Sequence, residues 1–129
     1  MRRVTATRAL CGDRLAVFAG LDDMIVESVR MGAVGWIAGL VNALPRETMA
    51  LFRAAMTGDA KKADALYRWF LPLLRMDTVP KFVQLIKLVQ QEVGMGNERV
   101  RGPRLTLAGA ERDEALRTIR SVLEQRPAV

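Results

Sequence analysis

The stretch that most constrains this chain is Gly32-Ala33-Val34-Gly35-Trp36-Ile37-Ala38-Gly39-Leu40-Val41-Asn42-Ala43-Leu44-Pro45. Its centre, Val34 to Val41, is an uncharged apolar run bounded by Gly and Pro. A run of that length, punctuated in that way, reads as a strand buried on both faces. Such strands belong to parallel sheets covered by helices. The chain upstream of the run reads as one further strand and a helix, and the chain downstream of it reads as helical. Two parallel strands alone would leave open edges and wet inner faces. The chain therefore reads as the tail of a larger α/β fold, with the other strands supplied upstream or by another chain.

Taken in order, residues 2 to 10 read as the end of a helix closed by Gly12 and Asp13. Leu15 to Ala19 reads as a short apolar strand. Asp22 is positioned as the N-cap of a helix from about Asp23 to Met31, its carboxylate accepting first-turn N–H groups. Gly32 ends that helix, and Val34 to Gly39 is the second strand. The result is a β-α-β unit, parallel and right-handed. Pro45 opens a helix to about Thr57. Asp59 caps a longer one, Ala60 to Arg75, with Ala63, Leu66, Phe70, Leu73 and Leu74 on its apolar side. Lys81 to Val93 is a further helix, with Val83, Ile86, Val89 and Val93 at helical spacing. Glu98 to Leu107 is extended and Arg-rich. Gly109 to Gln125 is a last helix with a Leu116, Ile119 and Leu123 stripe, and the tail from Arg126 to Val129 is expected to fray.

Composition closes off several function classes. The 129 residues allow one domain at most. There is no His, which removes imidazole acid-base chemistry and leaves no basis for a zinc site. One cysteine, Cys11, allows no internal disulfide and fits a reduced, cytoplasmic setting. No apolar run is long enough to cross a membrane, and the N-terminus has no apolar core of a secretory signal. The net charge of +6 is spread along the chain, with only Arg99, Arg101 and Arg104 clustered. That distribution favours a solvated extended segment over a nucleic-acid surface.

The ordered residues resemble a known family. Leu15-Ala-Val-Phe-Ala-Gly20-Leu-Asp22-Asp23, then Gly32-Ala-Val-Gly35-Trp-Ile37-Ala38, Asn42 and Pro45, resemble the last two βα units of the dihydrodipicolinate synthase/N-acetylneuraminate lyase family. Gly58-Asp59, Leu71-Pro72-Leu73-Leu74, Lys87 before Gly94, and Arg101-Gly-Pro103 with Leu105 continue the series in order. The resemblance implies a (β/α)₈ barrel with a C-terminal helical extension. Residues 1–57 would hold the end of the sixth helix, strands seven and eight and their helices, and residues 58–129 the extension. It also implies class I aldolase or lyase chemistry, in which a lysine at the sixth strand end forms a Schiff base with a 2-oxo acid. That lysine and the proton-relaying tyrosine would lie upstream of Met1, so this chain would carry no catalytic residue. Trp36 to Asn42, Tyr67-Arg68-Trp69-Phe70 and Asp77-Thr78 look like the branch acting on hydroxyproline-derived pyrroline carboxylates. Leu21 and Ala38 depart from the wider family pattern, make the mouth more apolar, and argue against a sialic-acid or aspartate-semialdehyde substrate.

By the resemblance, Gly20, Ile37, Ala38 and Gly39 face substrate at the strand ends. Close strand-to-helix packing explains small residues there equally well. Asp22 and Asn42 are read as structural near the site, the first as a helix cap. Lys61, Lys62, Lys81 and Lys87 all fall on expected helices, and Lys87 matches a position in the extension. Tyr67 is read as packing. No cofactor or metal is expected. The expected partners are a small 2-oxo acid or pyrroline carboxylate for the parent enzyme and further copies of the chain. The rival readings are a non-enzymatic helical association module and an Arg-driven nucleic-acid binder.

Overall fold

A computed structural model describes residues 2–129. The chain runs α1 (Arg2–Cys11), β1 (Phe18–Ala19), a 3₁₀ turn (Asp22–Met24), α2 (Ile25–Arg30) and β2 (Gly35–Trp36). A 3₁₀ turn (Leu40–Asn42) leads to α3 (Pro45–Thr57) and α4 (Ala60–Leu74). Another 3₁₀ turn (Arg75–Thr78) precedes α5 (Phe82–Glu92), and α6 (Gly109–Glu124) closes the molecule. β1 and β2 are parallel, with Phe18 opposite Gly35 and Ala19 opposite Trp36. The β-α-β unit expected from the sequence is present.

The helices follow their sequence signals closely. Pro45 stands in the first turn of α3, where its missing N–H costs nothing, and Gly58 ends that helix at φ +75°. Asp59 accepts from the Lys62 N–H at 3.1 Å and caps α4. One face of α4 buries Ala63, Leu66, Phe70, Leu73 and Leu74, as its spacing demands. α4 packs on α3 and α6, and the Trp69 indole donates to the Val122 carbonyl at 2.9 Å. α5 buries Ile86 and Val89 from the expected stripe, and also Leu88, which the stripe omitted. A single apolar cluster runs from Ala19 through these helices to Ile119.

Three expectations are corrected. The strands are two residues each rather than Leu15–Ala19 and Val34–Gly39, because each has one partner to pair with. The apolar run is not buried on both faces: Val34 is 48% and Ile37 72% exposed, and among the described residues the sheet has no third strand. The tail does not simply fray. Arg126 Nε donates to Glu47 Oε1 at 2.5 Å, across 79 residues, and Glu47 itself is buried in the first turn of α3.

The fully buried Phe70 ring is the largest side chain in this core. Phe70→Ala should cost about 3–5 kcal/mol, measured by urea unfolding of the chain.

Candidate functional site

The site assembles where both strands end. After Ala19 the chain passes through exposed Gly20 and Leu21 and drops Asp22 into the interior, with no exposed surface. Asp22 does not cap its own helix: the turn from Asp22 and the following α2 both start without a side-chain cap. Its carboxylate crosses to the end of β2. It accepts from Trp36 Nε1 at 3.0 Å, from the Gly39 N–H at 3.2 Å and from the Leu40 N–H at 2.9 Å. The cap expectation fails because the donors at the neighbouring strand end are closer to hand than the first turn of α2. Burial pushes Asp22 above the ordinary carboxylate range, and the bonds from Leu40, Trp36 and Gly39 pull it partly back.

Asn42 is bonded within the turn after β2 and to α5. Its Nδ2 donates to the Gly39 carbonyl at 2.9 Å, and its own carbonyl accepts from Gln90 Nε2 of α5 at 3.2 Å. Gly20 has open space where a side chain would stand, so packing does not explain its small size. Gly39 is the opposite case. A Cβ there would collide with the Asp77 carboxylate and Ile86. Ile37 is exposed and Ala38 half-buried.

The structure brings these residues to the same end of the two strands without enclosing them in one cavity. Gly20 borders a cavity with Arg2, Phe18 and Leu21; Ala38 borders one with Phe18, Trp36 and Phe52; Gly39 and Asn42 border a third, against α5. Of the four lysines, Lys61 and Lys62 lie on α4 and Lys81 just before α5, while Lys87 on α5 borders the cavity that Gly39 and Asn42 line.

Two groups named in the sequence reading were not placed at this end by it. Asp77, from the turn after α4, comes back over the end of β2 beside Gly39. Burial, and then the charges of Asp22 and Asp23, push its carboxyl up to about 6. In the sequence it stood out only as part of the Asp77-Thr78 pair of the branch resemblance, which gave it no place at the strand end. The second is Tyr67, read as packing. Its hydroxyl donates to the Asp23 carbonyl and to Glu27 Oε2, the latter at 2.9 Å, and so pins the turn after β1 to α4. Burial and the Glu27 carboxylate hold that hydroxyl well above the usual phenol range, so it stays a donor at neutral pH.

Two outcomes are expected here. Asp22→Ala leaves three donors at the end of β2 without their acceptor and should destabilise the chain by about 3 kcal/mol, read by denaturant titration with Trp36 emission as a local probe. For Asp77 the folded-state pKa lies above the unfolded one, so the folded chain binds the proton more tightly. Its contribution to stability is present at acid pH and is lost as pH rises through about 6. The fall in melting temperature between pH 4.5 and pH 7 should therefore be smaller in Asp77→Asn than in the unaltered chain.

Comparison with known proteins agrees with this architecture. The profile of the dihydrodipicolinate synthetase family matches residues 1–122. A 4-hydroxy-tetrahydrodipicolinate synthase of Halorhodospira halophila is 39% identical over 105 residues, which cover 79% of this chain and 35% of that protein. One from Thermomicrobium roseum is 30% identical over 110 residues, covering 85% of this chain and 36% of the relative. Among solved structures, a putative dihydrodipicolinate synthetase from Pseudomonas aeruginosa superposes with a TM-score of 0.81 at 25% identity, over 94% of this chain and 42% of the other. The 4-hydroxy-tetrahydrodipicolinate synthase of Methylacidiphilum fumariolicum gives 0.83 at 23% identity, over 96% of this chain and 41% of the other. The chain spans a little over a third of the curated relatives it matches. It belongs to the dihydrodipicolinate synthetase family.

Proposed function

We propose that the chain is the C-terminal part of a Schiff-base lyase acting on a 2-oxo acid or a pyrroline carboxylate. In this reading β1 and β2 are the seventh and eighth strands of a (β/α)₈ barrel, residues 1–57 complete that barrel and residues 58–129 form the helical extension. Gly20, Ile37, Ala38 and Gly39 face the substrate at the mouth, and Asp22 and Asn42 hold the backbone that presents them. The observation that carries the reading is the parallel pair of strands whose ends are bound together by one buried carboxylate and overlain by α5. Active sites of such barrels lie at the carboxyl ends of the strands.

The catalytic lysine is supplied from outside these 129 residues, so the chain alone forms no Schiff base. Its four lysines lie on or beside helices and none follows directly on a strand, where a desolvated amine would be held against the substrate carbonyl. The apolar mouth made by Leu21 and Ala38 supports a pyrroline-carboxylate deaminase-like branch. Further copies of the chain are its natural partners, and the cytoplasm its setting.

A second reading has its own observation. Leu10, Phe18, Leu21 and Ile37 are all more than half exposed around the strand pair. That favours an association module whose work is to cover this surface. Light scattering tests it: a monomer of constant mass across concentration counts against this second reading.

For the first, the chain is incubated with pyruvate and borohydride and its intact mass is taken. An unchanged mass is expected, and a stable adduct would overturn the proposal that the lysine lies elsewhere.

A further inference from the structure

Two carboxyl groups meet Gly39 from different directions. Asp22 accepts its N–H at 3.2 Å. Asp77 lies against its α-carbon, in the space where a side chain would stand, with Ile86 beside it. Asp22 is wholly buried and holds three hydrogen bonds. Asp77 is half-buried, and neither a hydrogen bond nor a cation offsets the burial and the two aspartates that act on it.

The turn that carries Asp77 packs on the turn after β1, on α4 and on α5. The turn after β1 brings Asp22 and Asp23. The middle of α4 brings Tyr67, hydrogen-bonded to Glu27, and the exposed Arg68. Arg75, in the same turn as Asp77, acts on the Tyr67 hydroxyl. α5 brings Lys87, and Glu92, which pairs with Arg120 at 2.8 Å; Lys81, just before α5, pairs with Glu111 at 2.5 Å. Of all these charges only Asp22 and Asp23 shift Asp77, and both oppose its ionisation. Beyond Met76, which is buried, the chain from Thr78 to Lys81 is exposed. Such a segment has few contacts to lose when it moves.

We propose that the Asp77 turn is a pH-sensitive cover over the end of β2, closed on Gly39 while Asp77 carries its proton and released from Gly39 when the carboxylate forms beside Asp22 and Asp23. Desolvation and like-charge repulsion both drive the release. With the turn closed, Asp77 keeps its proton up to about pH 6, above the range of a solvated carboxyl. The closed form is therefore favoured at acid pH and loses that advantage as pH rises through about 6. Release uncovers the turn after β2 that Asp22 holds in place. The device goes beyond the function proposed above, does not depend on it, and uses only residues of this chain.

The test follows the whole 129-residue chain, isotopically labelled, by NMR between pH 4.5 and pH 7.5. The Asp77 carboxyl carbon should titrate near pH 6. Through the same midpoint the proton–proton contact between the Asp77 side chain and the Gly39 α-carbon should weaken at least about threefold. The Tyr67–Glu27 contact, which reports the folded state, should persist. Asp77→Asn should keep the contact to Gly39 at both ends of the range, and Asp23→Asn should lower the midpoint. A contact of equal strength at both ends, a midpoint in the ordinary carboxylate range near 4, the same loss in Asp77→Asn, or a parallel loss of the Tyr67–Glu27 contact would each overturn the proposal. The unaltered chain decides the matter even if a variant does not fold.

Discussion

A single buried carboxylate governs the working end of this molecule. Asp22 has no exposed surface, and its two oxygens serve an indole N–H and two backbone N–H groups that all belong to the other strand's end. A two-residue strand pair has little ladder to hold its register. The cross-strand carboxylate supplies what the ladder lacks, through three hydrogen bonds from the end of β2. It also spends the backbone donors at Gly39 and Leu40 on the protein itself. In the turn after β2 these two N–H groups are therefore spent, and carbonyls are left to meet other groups. Asn42 and Gln90 take up two of those carbonyls and join the turn to α5.

The helices supply the platform for this arrangement. α4 is its spine, with an apolar face against α3 and α6 and a polar tether, Tyr67, running back to the turn after β1. The strand pair is covered by helices on one side only. Phe18 lies across Gly35 on the open side and shields some of the backbone where no third strand does. That asymmetry is what a family member spanning a little over a third of its relatives' length should show.

Helix positions were legible because their signals are local. Pro45, Gly58 and Asp59 each act within one turn, and the α4 stripe reports its own buried face. Strand lengths were not, because pairing depends on partners that the local sequence does not name. The apolar run from Val34 to Val41 carries the composition of a doubly covered strand, yet burial is a property of neighbours. Asp22 was legible as a fixed polar group but not in its direction: an Asp before a helix looks like a cap, and its real donors lie 14 to 18 residues further on. Asp77 reached the strand end through the return of α4, which no spacing rule encodes.

The ion pair between Glu47 and Arg126 reaches further than its geometry. Glu47 is almost wholly enclosed, and its second oxygen has no partner among the described residues. An enclosed carboxylate without its cation is costly, and here the cation arrives 79 residues later. The first turn of α3 is thereby tied to the residues that follow α6, so a change at Arg126 is felt at an enclosed carboxylate 79 residues away in sequence.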